Sequence, residues 1–163
     1  MSFCVHSDEY WMNRALALAQ EAARRNEVPV GALLVCDDTV IGEGFNQPIL
    51  SLDATAHAEI CAIRQAGQIV GNYRLPGATL YVTIEPCTMC VGAMVHARID
   101  RLVFGAPEPK SGAVVSASRL LDHPAMNHKV EYLGGILSGQ CAGLMSDFFA
   151  RRRQEKKRLK QQG

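Results

Sequence analysis

The sequence predicts an α/β fold with a mixed five-stranded sheet covered by helices, on three observations. Two β-rich segments open on either side of an Asp37-Asp38 pair, later apolar runs alternate with segments of helical periodicity, and no repeat or linker divides the chain. The 163 residues suit one domain over 1–163, with about 151–163 as a basic helical tail. Hydrophobic residues at 48% and charged residues at 20% exclude a disordered or fibrous chain. No apolar run reaches the ~18 residues of a membrane helix, so no membrane partner is expected.

Each element has its own local reason. Ser7 before Asp8 and Glu9 marks a helix start, a cap followed by acids where the helix dipole favours them. Trp11, Ala15, Leu18 and Ala22 recur at helical spacing to Arg25, and Glu27 with Pro29 ends that helix. Val30 to Cys36 and Thr39 to Phe45 read as a hairpin. Asn46 to Thr55 is rich in turn formers, after which a second helix opens near His57, capped by Asp53 or Thr55, and closes around Gly67. Thr79 to Thr83 is a strand running into Glu85-Pro86-Cys87, where a third helix begins with proline in its first turn and continues to about Ala97. Arg101 to Phe104 is a fourth strand; Pro107, Pro109, Ser111 and Gly112 then break regular structure. Val130 to Leu133 is a weak fifth strand. Leu137, Cys141, Leu144 and Phe148 form the apolar face of a last helix that runs into the tail.

Charge is unevenly distributed. Residues 151–163 hold seven Lys and Arg and one acid, whereas residues 1–150 hold ten basic and fifteen acidic groups. A basic end on a mildly acidic body suggests a polyanionic partner, and a merely solvated terminus is the alternative. Met1 to Tyr10 has no basic segment followed by an apolar one, so no secretory signal and a cytoplasmic location are expected. In that compartment the six cysteines stay reduced. Cys4, Cys36, Cys61 and Cys141 stand alone, and Cys87 with Cys90 is the one Cys-x-x-Cys.

Chemistry concentrates at His57-Ala58-Glu59 and at Pro86-Cys87-Thr88-Met89-Cys90, both at predicted helix starts. Cysteines three apart share a helix face, and a helix N-terminus favours the thiolate a metal needs. One imidazole and two thiolates make a zinc donor set of three. Structural zinc is closed by four side chains, whereas catalytic zinc keeps a position open. His96, His123 and His128 are possible fourth ligands on sequence alone. Glu59, about 200° around the helix from His57, is poorly placed as a ligand and better placed to carry protons between water and a substrate nitrogen. This His-x-Glu and Pro-Cys-x-x-Cys pattern is the signature of zinc deaminases, which replace an exocyclic amine by oxygen and release ammonia. A structural zinc or a buried thiol pair is the non-catalytic alternative.

Beyond that motif, the chain resembles the bacterial tRNA-specific adenosine deaminases. The resemblance rests on Glu27-Val28-Pro29-Val30-Gly31-Ala32, Gly42-Glu43-Gly44 with Asn46, Thr55 to Ile60, Leu80 to Thr83 into Glu85-Pro86-Cys87, Arg101 to Ala106, Asn127-His128 and Ser146 to Phe149 with three arginines. It implies a three-layer α/β/α cytidine-deaminase-like fold and a homodimer converting the wobble adenosine of an arginine tRNA anticodon stem-loop to inosine. It implies one Zn²⁺ per subunit on His57, Cys87 and Cys90, no organic cofactor, and proton transfer by Glu59. It further implies that Asn46 bonds the flipped nucleotide and that the Ala58 N–H helps read the purine. An anticodon loop is already largely unpaired, so its bases reach a buried metal cheaply. Lys110 and the tail are expected to bind phosphates, and Phe149 and Arg152 to contact RNA, with a core role for Phe149 as the alternative. One stretch departs from the family: Pro107-Glu108-Pro109-Lys110 stands where it usually has Arg-Asp, a small residue and lysine, and two prolines stiffen that loop. The rivals are a deaminase of free bases, nucleosides or nucleotides, favoured if tRNA is not needed, and an inactive zinc-stabilised RNA-binding subunit, which would have no use for Glu59.

Overall fold

Ser7 caps the first helix as its sequence requires, accepting a hydrogen bond from the Tyr10 N–H at 3.1 Å. The helix, α1, spans Asp8–Arg24 in the computed structural model of the chain, which describes residues 5–163. Cys4 lies outside the described residues. The hairpin follows as β1 (Gly31–Cys36) and β2 (Thr39–Phe45). Asp37 and Asp38 both take positive φ, 49° and 57°, which is the two-residue turn whose twist matches paired antiparallel strands.

The remaining elements are α2 (Pro48–Ser51), α3 (Ala58–Val70), β3 (Thr79–Ile84), α4 (Thr88–His96), β4 (Arg101–Ala106), a 3-10 turn at Leu120–Asp122, β5 (Glu131–Leu133) and α5 (Ser138–Gln161). Sheet order is β2-β1-β3-β4-β5. β1 pairs antiparallel with β2 and β3, while β3–β4 and β4–β5 are parallel, so the sheet is mixed. Strand alternation then sorts the core into two layers. Ala32, Leu34, Leu80, Val82, Leu102 and Phe104 face α3 and α4 on one side; Leu33, Val35, Tyr81 and Val103 face α1 and α5 on the other. This is the three-layer α/β/α arrangement.

Three helix boundaries differ from expectation. Helix α3 is capped by His57 rather than by Asp53 or Thr55, because Asp53 instead folds back on Thr55, accepting from its N–H at 2.9 Å and its hydroxyl at 2.7 Å. The helix also passes Gly67 and ends at Gly71, whose φ of 74° suits a left-handed cap. Ala58, Ala62 and Ala66 hold it against the sheet. Pro86 precedes the Cys87 cap of α4 instead of occupying its first turn. Gly44 lets α3 approach β2 closely: a Cβ there would stand 2.8 Å from the Ala58 carbonyl oxygen, at the start of the helix that carries Glu59.

The N-terminus of α1 is tied to the sheet by a half-buried carboxylate. Asp8 accepts from both terminal nitrogens of Arg101, at 2.8 and 2.7 Å, and from the Tyr81 hydroxyl at 2.7 Å. The Arg101 hydrogen bonds hold the Asp8 carboxyl below its ordinary value of 3.8. A depressed folded value means stabilisation that is complete above that ordinary value and lost as pH falls through the folded one. Asp8→Asn is therefore expected to cost about 1–3 kcal/mol at pH 7, and the difference from the parent should shrink as pH falls below the ordinary carboxyl value of 3.8, measured by urea unfolding across pH. A constant difference down to pH 2 would show that the charge is not responsible.

Candidate metal centre and active site

Two helix N-termini meet beside β3. His57 caps α3 with ψ of 154° and Cys87 caps α4 with ψ of 176°, neither using its side chain as a cap, while Cys90 sits in the first turn of α4. Their side chains are thereby free to converge. His57 Nδ1 lies 3.6 Å from Cys87 Sγ and 3.6 Å from Cys90 Sγ. Donors about 2.0 Å (nitrogen) and 2.3 Å (sulfur) from one tetrahedral ion stand about 3.6 Å apart, so both nitrogen–sulfur pairs have the spacing that a zinc ion requires.

Among the described residues, these three form the one His, Cys, Asp or Glu group whose ligand atoms close within 4.8 Å of one another. The other histidines are committed elsewhere or remote from it. His128 Nε2 lies 2.8 Å from the Ile99 carbonyl oxygen, His123 Nδ1 accepts from the Ala125 N–H, and His96 is exposed at the far end of α4. Cys36, Cys61 and Cys141 are free and outside the group. A donor set of one imidazole and two sulfurs leaves the fourth tetrahedral position without a protein ligand among the described residues.

Electrostatics divides the two thiols before metal arrives. A hydrogen bond from Cys90 and a second from His57 pull the Cys87 thiol down to about 3, and Cys90, its partner, is pushed well up. One thiolate is thus ready, and the second proton leaves as metal binds. Glu59 is 4% exposed, and burial pushes its carboxyl up against opposing hydrogen bonds from its own N–H and Cys90. Burial thus favours the protonated carboxyl, which suits a group that must hold a proton and hand it on.

A cavity of about 240 Å³ opens onto this centre. Val28, Val30, Ile84 and Met145 give it apolar walls, and Asn46, His57, Glu59, Glu85, Cys87, Glu108 and Ser111 its polar groups. Asn46, nearly buried at 9% exposure, reaches it from the end of β2. Ala58 has a fully buried side chain that does not line it. Its N–H is the first of α3, among those a helix leaves without an internal partner.

The expected RNA-contact residues fall outside the cavity. Lys110 is exposed and its N–H donates to Glu108 Oε1 at 2.9 Å. Phe149 is 42% exposed, so it is not core, unlike Phe148 at 5%. Phe149 lines a neighbouring groove with Asn26, Val28, Ile49, Arg152, Arg153 and Lys156, and Val28 is common to groove and cavity. Arg152 partly serves the fold: with Arg151 it lies over the Phe148 ring and reaches the carbonyls ending α1, Ala23 and Asn26.

Two buried carboxylates escaped sequence reasoning. Glu27, 1% exposed, accepts from the Ile49 and Leu50 N–H groups and so fastens α2, the short helix after Asn46. Glu85, 3% exposed, accepts from the Ser116 hydroxyl and from four backbone N–H groups of residues 108–116. The one local signal was an acid close to a strand end, Glu27 four residues before β1 and Glu85 directly after β3.

Residues 5–106 match the cytidine and deoxycytidylate deaminase zinc-binding region. The chain is 51% identical over 151 residues to the tRNA-specific adenosine deaminase of Haemophilus influenzae, covering 92% of this chain and 87% of the relative. To that of Bacillus subtilis it is 41% identical over 150 residues, covering 92% and 93%. A solved structure from work on A-to-I editing by tRNA:A34 deaminases at the wobble position superposes with a TM-score of 0.81 at 46% identity, covering 83% of this chain and 98% of that one. The guanine deaminase of Nitrosomonas europaea, 21% identical with a TM-score of 0.74 over 88% of this chain and 85% of that one, shares the fold.

Proposed function

The chain belongs to the cytidine and deoxycytidylate deaminase family, in its tRNA-specific adenosine deaminase branch, and on that premise we propose that it converts the wobble adenosine of a tRNA anticodon to inosine. The reaction is hydrolytic: water oxygen takes the place of the exocyclic amine at C6 of the purine, and ammonia leaves. The finer reading is an arginine tRNA as substrate, a homodimer as the working form, and one zinc ion per subunit in the cytoplasm. The observation that carries the proposal is the convergence of His57, Cys87 and Cys90, with His57 Nδ1 3.6 Å from each sulfur and all three ligand atoms within 4.8 Å of one another, and buried Glu59 in the same cavity.

Zinc held by His57 Nδ1, Cys87 Sγ and Cys90 Sγ would supply a Lewis acid that lowers the pKa of water. Glu59 does the proton work: its carboxylate takes a proton from water, passes it to the ring nitrogen beside C6, and serves the departing amine in the same way. Asn46 orients the extruded nucleotide from one wall, and the Ala58 N–H offers a fixed donor to the purine edge. Val28, Val30, Ile84 and Met145 keep the base in apolar surroundings, where these polar contacts are strongest. Wobble specificity is supported by the groove that adjoins the cavity at Val28, where exposed Phe149 offers a stacking face and Arg153 and Lys156 offer charge.

Incubation with arginine tRNA and with its isolated stem-loop should yield inosine at the first anticodon position and equimolar ammonia. Free adenosine should react at least ~10²-fold more slowly, since it lacks the remote binding energy of the RNA. Faster turnover of a free base or nucleoside would overturn the tRNA reading in favour of the small-molecule deaminase.

The tail gives a second test. Residues 153–163 are exposed and extend α5 past its anchors at Arg151 and Arg152. Deleting 153–163 should weaken stem-loop binding and flatten the slope of log K against log salt by about 2, with zinc content unchanged. Unchanged affinity at low salt would make the tail a solvated end.

A further inference from the structure

We propose that Glu85 is a positioning residue that fastens the 108–116 loop over the cavity and thereby sets how tightly the RNA substrate is held. The inference rests on the tRNA reading above for the substrate, but the fastening itself stands on hydrogen bonds. Glu85 Oε1 accepts from the Glu108 N–H at 3.2 Å and from the Ser116 hydroxyl at 2.5 Å. Its Oε2 accepts from the N–H groups of Val114, Val115 and Ser116 at 3.1, 2.9 and 3.1 Å. Five donors exceed the roughly four lone-pair sites of a carboxylate, so none remains for a substrate. Glu85 lines the cavity without being free to act in it.

What it holds is the other wall. Glu108 and Ser111, from the same loop, line the cavity, and the loop is fixed again where the Ala113 N–H donates to the Pro86 carbonyl at 2.8 Å. Gly112 is needed for this closeness, because a Cβ there would run into the Glu85 carboxyl. Glu85 also stands two residues before Cys87, so one short segment carries both a metal ligand and the fastening of the loop. Position of the loop is in this way registered to the metal centre.

The test compares zinc-loaded wild type with Glu85→Gln, which keeps the shape but turns an amide nitrogen toward N–H donors. Hydrogen exchange in 108–118 should accelerate by about tenfold or more, and KM for the stem-loop should rise about tenfold with kcat within about threefold and zinc content unchanged. Ser116→Ala, which deletes a single donor, should move exchange and KM the same way by about two- to threefold, and keeps the proposal testable if the first variant does not fold. Unaltered exchange in either variant, a fall in kcat at constant KM, or loss of zinc would each overturn it. If wild type itself makes no inosine, the tRNA reading fails, and the exchange arm still decides whether Glu85 fastens the loop.

Discussion

Glu59→Gln should abolish ammonia release, lowering kcat by about 10³-fold or more, while zinc content and the fold are retained. General acid–base catalysis is worth about 10²–10⁴-fold for one transfer, and in the proposed reaction a single carboxyl would serve both water and two substrate nitrogens. The amide is isosteric, so the cavity keeps its shape, but it can neither accept nor deliver the proton. Stability moves the other way. Burial raises the Glu59 carboxyl above its ordinary value, so the ionised form is penalised in the folded chain once the pH exceeds that ordinary value. Removing the ionisable group in metal-stripped protein should therefore leave the melting temperature at pH 7 equal or higher, read by calorimetry. Equal ammonia release from parent and variant would remove Glu59 from the chemistry and leave a zinc-stabilised binding protein.

Cys90→Ser should lose the metal. Cys90 is fully buried beside His57 Nδ1, so the variant exchanges a soft sulfur donor for a hydroxyl that does not ionise near neutral pH. Zinc remaining after dialysis against a chelator should fall to about a tenth per chain or less, with activity falling in proportion. The variant should also melt lower in zinc than the parent, because ligand binding stabilises only a chain that binds. Competition between metal and protons adds a sign: Cys90 is held protonated in the metal-free chain, so the parent's zinc affinity should weaken as pH falls. Zinc retained at one per chain by Cys90→Ser would show that another ligand completes the site.

The cluster of His57, Cys87 and Cys90 was legible in the sequence because each residue is encoded locally, at a helix start that carries its own spacing rule. Cys87 and Cys90 share a face by being three apart, and the position of His57 at the start of α3 aims its ring across to them. The hairpin was legible for the same reason, its Asp37-Asp38 turn being a two-residue rule. What sequence did not disclose depends on partners far along the chain. Helix α2 exists because Glu27 satisfies its first N–H groups from 22 and 23 residues away. Glu85 reaches Ser116 across 31 residues. The extension of α3 past Gly67 follows from packing, since a mid-helix glycine costs about 1 kcal/mol that contacts of Ala62 and Ala66 with Gly42 outweigh. Periodicity placed Phe148 on the apolar face, where it is buried, but left open whether Phe149 joins it in the core, which is set by the packing of α5 on the sheet.

X-ray absorption of the zinc-loaded protein counts donors directly. Two sulfurs, one imidazole nitrogen and one light atom lost from the shell on binding of an inhibitor that displaces solvent are the predicted result. Two sulfurs and two imidazoles, or any fourth side-chain donor, would close the site and contradict hydrolysis there.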